Sequence, residues 1–436
     1  MEKLLEIAKK VSDQSEIYSL DETTDGISFE NSKLKDIESN VQSGVSLRIL
    51  KDGKLGFAYT KNLLNREELL QNAVDSLKGG VEALFDLPVS KDLLSLNTYD
   101  ASIVSLSNAS IVEECKRVCE TLAQRTKGQI NLSAGRKAAT VRLINSRGAD
   151  LSSDSSLYFF NAEILYPGSY ASIHRPLLHK SFEKASDPYL SFILDMYNPS
   201  VEEVHPKGGA MKVLFLPETI YTLMWRVQSA TSGKNIHQKV SPLLGRTGEK
   251  LFDEKLSILD DPLNDTIPDA RAFDDEGTSC RLLPIIENGI LVNFYYDLHY
   301  AKKLNASPTG HGYKGSMWGG ETVSFRPSPS LGHLTIRPGD KSFSQLLKSI
   351  DKGLLVAGVM GAHSGNILNG DFSVGLSPGL YVEKGEIVGH VKDAMVAGNI
   401  FSTLREVVDI EDSPHPGSGG TFPAILFDNV SVATKG

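Results

Sequence analysis

The feature that most constrains the fold is a change of pattern near residue 200. Before that point, apolar residues recur at helical spacing between extended segments, whereas after it short strands alternate with glycine-rich turns. With 436 residues, the chain also exceeds the ~250–300 residues that one hydrophobic core usually holds. We therefore predict an α+β fold: an amino-terminal α+β domain with an antiparallel sheet and helices over residues 1–200, and a mainly β carboxyl-terminal domain over residues 201–436.

Local patterns in the amino half predict three helices and several strands. Helical spacing of leucines begins at Leu4, a cap pattern of Asn65 with Glu68 opens a second helix, and Ser110 with Glu113 is predicted to cap a third. The predicted strands cover residues 45–50 and 55–60, joined by an Asp-Gly turn, and residues 139–144 and 157–166.

Two hairpins and two helices are predicted in the carboxyl half. An Asn-Gly turn at 288–289 and a Lys-Gly turn at 384–385 each separate two runs of strand-forming residues, and such pairs readily adopt tight turns. One helix is predicted to begin at Pro217, because proline suits the first helical turn, and another to cover residues 342–351.

Composition excludes several classes of protein. A net charge of -9 without a basic cluster argues against direct nucleic-acid binding. The longest apolar run, residues 353–362, is far shorter than the ~20 residues that span a bilayer, and residues 1–10 do not have the pattern of a secretion signal. We therefore expect no membrane association and a cytoplasmic location. Cys115 and Cys119 lie on one helical stripe, where core packing is favoured over metal binding.

Motifs that would indicate a metal or nucleophile site are incomplete. No two histidines have the helical spacing of a zinc hydrolase, and the segment from His174 to His179 is interpreted as a loop with solvated histidines. The acidic run at 274–276 is interpreted as a solvated turn in preference to a cation site. Ser373 is expected to be a strand residue, because the glycine of a nucleophile elbow is replaced by Asp371.

Three polar segments in the carboxyl half remain as candidate functional loops: residues 308–311, 363–366 and 370–373. Clusters of small polar residues, histidine and glycine either close loops or line a groove that a ligand approaches closely. The residues alone leave both interpretations open. A hydrolase with a metal site built from His311, His363 and Asp371 is a third alternative.

These segments belong to a set of ordered motifs that resembles the TldD/PmbA family, known as modulators of DNA gyrase and as zinc-dependent peptidases. The matching motifs are LDDP at 259–262, FDDEG at 273–277, IENGIL at 286–291, PTG at 308–310, HSGN at 363–366, GDFSVG at 370–375 and VAGN at 396–399. The resemblance covers the whole chain, more loosely before about residue 200.

The resemblance implies two branches that form a mixed complex. TldD-like chains carry a zinc helix with the pattern HExxxH and a cysteine ligand near the carboxyl terminus, whereas PmbA-like (TldE-like) chains lack both. Here Met224, Trp225 and Ser229 occupy the three key positions, and residues 414–420 contain no cysteine. A thioether is a poor zinc ligand and an indole cannot act as a general base, so we expect no metal and no catalytic residue in this chain.

The resulting prediction is the PmbA-like subunit of a heterodimeric zinc metallopeptidase that acts on peptides or unfolded segments. A TldD-like partner is expected to supply the zinc, while His311, His363, Asn366 and Asp371 are candidates for lining the substrate groove. The alternative is a non-catalytic protein that binds a peptide or a regulator.

Overall fold

The structure is a computed structural model that describes residues 1–91, 93–315 and 319–435. Helices α1 to α10 are Glu2–Ala8, Arg66–Ser76, Ala101–Val104, Asn108–Ala123, Asp187–Tyr197, Pro217–Thr231, Gly233–His237, Leu298–Lys303, Phe343–Lys348 and Ile400–Thr403. Short 3₁₀ turns are Leu77–Gly79, Asn198–Ser200 and Thr322–Ser324.

Strands in the described residues are numbered in chain order. Strands β1 to β12 are Gln14–Glu30, Lys33–Lys51, Lys54–Thr60, Gln129–Asn145, Asp150–Leu165, Ser172–His179, Gly209–Phe215, Ile258–Asp260, Leu283–Glu287, Ile290–Leu291, Gly312–Tyr313 and Ser328–Pro329. Strands β13 to β23 are Leu334–Ile336, Lys352–Val356, Val359–Met360, Asp371–Leu376, Gly379–Glu383, Glu386–Val391, Met395–Asn399, Val407–Ile410, His415–Gly417, Gly420–Phe422 and Ile425–Ala433.

The amino half is built on a six-stranded antiparallel sheet in the order β3-β2-β1-β4-β5-β6. Asp52 and Gly53 both adopt positive φ between β2 and β3, so the predicted Asp-Gly hairpin is confirmed. The predicted strands at 45–50 and 139–144 are parts of much longer strands, and the one predicted at 157–166 lies in β5 as far as Leu165. Strand β1 was not predicted, because its many polar residues do not alternate with apolar ones over its full length.

The carboxyl half contains a nine-stranded sheet and a second six-stranded sheet. The nine-stranded sheet has the order β15-β16-β19-β23-β7-β14-β17-β18, with β20 paired to β23. The other has the order β10-β9-β8-β13-β22-β21, and both hairpins predicted from Asn-Gly and Lys-Gly turns are present. The predicted α+β fold class, with a β-rich carboxyl half, is therefore confirmed.

Hydrophobic packing is continuous between the two halves. One buried cluster joins α4, α5 and the amino-terminal sheet to apolar residues of the carboxyl half that include Leu214, Leu355 and Leu426. Cys115 and Cys119 lie inside this cluster, and burial raises the pKa of both thiols, which confirms their interpretation as core residues. The division at residue 200 stays a prediction.

Several local predictions were wrong. Helix α4 is capped by Ser107, whose hydroxyl accepts from the amide of Ser110, so the helix begins earlier than the Ser110 pattern indicated. The segment from His174 to His179 forms strand β6 and is not a loop; Pro176 is tolerated because β6 is an edge strand. Helices α3, α5, α7, α8 and α10 were not predicted. None of the helices in the described residues is long and apolar enough to cross a membrane.

A pair of opposed glycines provides a test of the amino-terminal sheet. A Cβ atom on Gly135 would collide with the carbonyl oxygen of Asp25 and with the ring of Phe159, whereas a Cβ on Gly26 would meet nothing within 4 Å. We expect Gly135→Ala to destabilise the fold by about 1–3 kcal/mol, as overpacking does, and Gly26→Ala to have little effect. Thermal denaturation of both variants measures this difference, and equal melting temperatures would contradict the packing described.

Candidate functional site

Helix α6 carries Met224, Trp225 and Ser229, which the family resemblance places at the positions of the zinc ligands and the general base. It follows β7 and begins at Pro217, as predicted. The side chain of Met224 is 1% exposed and belongs to the main hydrophobic cluster of the carboxyl half. The ring of Trp225 packs edge-on against Tyr221 with 5.0 Å between centroids, and Ser229 accepts two hydrogen bonds from the side chain of Asn235. All three positions thus have packing or hydrogen-bonding roles.

Beside these positions, Arg226 is buried completely and binds main-chain oxygens. Its Nε donates to the carbonyl of Asp371 at 2.7 Å, and Nη2 donates to the carbonyl of Ser364 at 2.6 Å. Nη1 donates to the carbonyls of Thr222 and Ala362 at 2.6 and 3.0 Å. Burial lowers the pKa of the guanidinium. Arg226 therefore joins α6 to the polar loop that precedes β16.

This loop, residues 361–371, carries three of the four predicted groove residues. His363 and Asn366 are exposed, and the side-chain oxygen of Asn366 accepts from the amide of Asn369 at 3.2 Å. Asp371 begins β16, where its carboxylate accepts from Asn399 at 2.8 Å. Ser373 lies in the same strand, as predicted. The loop presents polar groups to solvent on a scaffold held by Arg226 and Asn399.

His311 is placed differently from the other three candidates. Its ring is fully buried, with Nε2 3.2 Å from Asp260 and Nδ1 3.0 Å from the hydroxyl of Thr309. His333 lies near the same carboxylate at 3.8 Å, and contacts with both histidines lower the pKa of Asp260 to about 2 despite its burial. In this arrangement His311 is a partner of Asp260 and does not present its ring to a groove.

The alternative metal site made from His311, His363 and Asp371 is not assembled. Among residues 1–91, 93–315 and 319–435, no group of three or more His, Cys, Asp or Glu side chains is arranged to hold a metal ion. His311 is buried beside Asp260, while His363 is exposed on the loop before β16.

The acidic run at 274–276 corrects the prediction of a solvated turn. Asp274, Asp275 and Glu276 are 1–2% exposed. The carboxylate of Asp274 accepts from the main-chain amides of Glu276, Thr278 and Gly312, yet burial and the neighbouring Glu276 raise its pKa. The turn geometry was predicted correctly, but the carboxylates face the protein interior.

Arg48 connects this acidic run to the amino-terminal sheet. Its guanidinium donates to both carboxylate oxygens of Glu16 on β1, each at 2.9 Å, and to Glu276 at 2.7 Å. Lys314 adds a second link, since its Nζ donates to Ser46 on β2 at 3.0 Å. Burial lowers the pKa of Lys314 to about 7. We call Glu16, Arg48, Glu276 and Lys314 the buried charge cluster.

A cleft of about 360 Å³ opens beside the buried charge cluster, between the amino-terminal sheet and residues 268–275. Arg271 lines it and donates to Asp275 at 2.6 Å, while its guanidinium lies 5.2 Å from the ring centroid of Tyr313. Lys137 and Glu22 form an ion pair on the opposite wall at 2.7 Å. Charges of both signs line the cleft, so its chemistry suits a polar ligand with donors and acceptors, such as a peptide backbone.

The buried charge cluster predicts a large effect of removing its central cation. Arg48→Met leaves the buried carboxylates of Glu16 and Glu276 without the cation that pairs with both, and breaking a buried pair in this way costs about 3–5 kcal/mol. Arg142→Met is the matched control, because Arg142 pairs with Glu2 and Asp150 at partly exposed positions and such pairs contribute about 0–1 kcal/mol. Similar losses of stability on denaturant unfolding would contradict the proposed importance of the cluster.

Asp297 predicts a pH dependence of stability. Burial and the nearby Glu276 raise the pKa of Asp297 to about 8, while its Oδ1 caps α8 by accepting from Tyr300 at 2.7 Å. Between about pH 4 and pH 8 the folded protein retains a proton that the unfolded chain has lost, so stability falls as pH rises through this window. Asp297→Asn keeps the cap acceptor but cannot ionise. Its melting temperature should fall less than that of the wild type between pH 5 and pH 8; parallel curves would refute this assignment.

Comparisons with known proteins find matches over most of the chain. Residues 15–78 match a family model described as PmbA/TldA metallopeptidase domain 1, and residues 208–434 match the PmbA/TldA metallopeptidase C-terminal domain. A metalloprotease of Methanothermobacter thermautotrophicus is 22% identical, with 93% of this chain and 89% of that protein covered. The metalloprotease PmbA homolog of Haemophilus influenzae is 25% identical, covering 98% of this chain and 94% of the homolog.

A solved structure confirms the fold. TldE from Thermococcus kodakarensis has a TM-score of 0.89 and 22% sequence identity, and the superposition covers 99% of each chain.

Proposed function

Because the chain belongs to the PmbA/TldD family of metallopeptidases, we propose that it is the subunit without the zinc in a heteromeric peptidase. A TldD-like partner would supply the metal, its ligands and the general base. The observation that carries this proposal is the structure of α6. Met224 is a core residue, Trp225 packs against Tyr221, and Ser229 accepts a hydrogen bond from Asn235. A methionine and a tryptophan cannot replace the imidazole and carboxylate that zinc hydrolysis needs.

The surroundings of these positions support the same conclusion. Arg226 places a buried positive charge one residue from Trp225, and its donors bind carbonyls on both sides of the loop before β16. A fixed cation at this point disfavours a second cation by Coulomb repulsion in a poorly solvated region. Helix α6 therefore serves this chain as a structural support for the polar loop.

The proposed contribution of this chain is to bind the substrate. The loop at 361–371 is exposed and polar, yet its backbone is held by Arg226, so its groups are ordered before a ligand arrives. Ordered main-chain donors and acceptors can pair with an extended peptide, which is the way that many sheet proteins hold unfolded segments. Substrates are accordingly proposed to be peptides or unfolded segments of proteins.

Reconstitution tests this proposal. The chain is produced alone and together with a family member that carries HExxxH, and zinc-dependent cleavage of an unstructured peptide is measured by mass spectrometry. We expect the mixture of the two chains to cleave the peptide. We expect no cleavage when the glutamate of the partner's HExxxH is replaced by glutamine. Zinc-dependent cleavage by the isolated chain would overturn the proposal.

A substitution in the loop tests whether this chain binds the substrate. We expect His363→Ala to lower kcat/KM of the reconstituted enzyme by about ten-fold, which corresponds to about 1.4 kcal/mol of transition-state stabilisation. His205→Ala is the matched control, because its side chain is 70% exposed and lies outside the loop. The same decrease in both variants, or no decrease in His363→Ala, would show that the loop does not bind the substrate.

A further inference from the structure

Strand β2 has a free edge over part of its length. Residues 33–51 form the strand, and β1 pairs with it from end to end. On its other side, β3 pairs only with residues 45–51, and no other strand of the described chain pairs with residues 33–44. Main-chain donors and acceptors along this edge are thus available to another strand, apart from the amide of Ile37, which donates to the side chain of Asp36 at 2.8 Å. Folded proteins usually suppress such free edges.

The regular part of this edge has defined ends. A bulge interrupts the pairing with β1. Ser28 opposes Asp36 and Phe29 opposes Leu34, so no residue of β1 lies directly opposite Lys35. At the other end, Val45 is the first residue covered by β3. Residues 36–42 therefore form the uninterrupted part of the edge, because Ser43 and Gly44 lie against residues 60–61 and Val323.

Apolar side chains are exposed along this edge. Ile37 is 46% exposed and Val41 is 68% exposed. Ile37 lies directly opposite Ile27 of β1, which is 2% exposed and belongs to the core cluster shared by the two halves. Apolar side chains thus extend from the buried Ile27 to the edge strand, where Ile37 is exposed in the isolated chain.

We propose that residues 36–42 pair in antiparallel orientation with the same residues of a second copy of this chain. The two-fold axis would pass through Ser39 and join the two amino-terminal sheets into one. This interface is independent of the proposed function, because it needs neither zinc nor a TldD-like partner.

The side chains favour this register over its neighbours. With Ser39 on the axis, Ile37 opposes Val41 of the second copy, and cross-strand pairs of β-branched residues stabilise a sheet. On the other face, the acids Asp36 and Glu38 oppose the amides of Gln42 and Asn40.

Neighbouring registers are less favourable. Antiparallel pairing about a two-fold axis must place a residue opposite itself, because opposed side chains share a face of the sheet. An axis at Glu38 would oppose two carboxylates, and an axis at Ile37 would oppose Asp36 and Glu38; like charges directly opposite destabilise a sheet. An axis at Asn40 would oppose Ile37 and Val41 to serines.

Two charge-pattern variants test the interface and its register in the full-length chain. Ile37→Lys with Val41→Lys opposes like charges across the axis, whereas Ile37→Lys with Val41→Glu opposes lysine to glutamate. Sedimentation velocity should show a dimer of the 47.4 kDa chain for the wild type and the Lys/Glu variant, and a monomer for the Lys/Lys variant. Val388→Lys, at an exposed position of edge strand β18, is the control and should leave the dimer unchanged.

Cross-linking tests the position of the axis. Ser39→Cys places two thiols opposite each other and should form a disulfide-linked dimer under mild oxidation, whereas Ser43→Cys should not. The three native cysteines are buried, so they do not compete. A wild-type monomer at concentrations of tens of micromolar, or dimerisation that the Lys/Lys variant retains, would overturn the proposal. If the Lys/Lys variant blocked only assembly with a TldD-like chain, the edge would belong to that partner and the self-pairing proposed here would be wrong.

Discussion

The contact of Arg48 with Glu16 and Glu276 is the interaction on which the arrangement of the two halves depends. One guanidinium satisfies a carboxylate of the amino-terminal sheet and a carboxylate of the acidic run, and all three side chains are at most 4% exposed. Burying a charge costs free energy unless the charge is paired and hydrogen-bonded. Separation of the two halves would break these ion pairs. The hydrophobic cluster that the two halves share also holds them together. The chain therefore provides a rigid frame on which the loops of the carboxyl half are placed.

The side chains of helix α6 have packing and hydrogen-bonding roles in this fold. Apolar residues occupy the inner stripe, and Arg226 binds four main-chain carbonyls in the space beside it. The helix still supports the loop at 361–371, although it offers no imidazole or carboxylate at the family's ligand positions. The proposal of a subunit that binds substrate for a metal on another chain rests on this arrangement of helix and loop.

Local signals made much of the fold predictable. Turns such as Asp52-Gly53 specify their hairpins through the φ values of two residues, and Pro217 marks the start of α6 for an equally local reason. The acidic run was misread because its cation, Arg48, lies 228 residues away from Glu276 in sequence. His311 was expected near a groove for the same reason, since its partner Asp260 comes from a distant strand. Pairings of this kind depend on the tertiary fold, and the periodicity of the sequence does not predict them.

The zinc content of the isolated chain tests directly whether α6 lacks a metal site. The protein is purified without chelators, incubated with an equimolar amount of zinc, desalted, and measured by native mass spectrometry together with elemental analysis. We predict that the chain retains less than about one tenth of a zinc ion, because α6 offers none of the ligands that structural or catalytic zinc requires. Retention of one zinc ion per chain, lost when Met224, Trp225 and Ser229 are replaced by alanine, would contradict it.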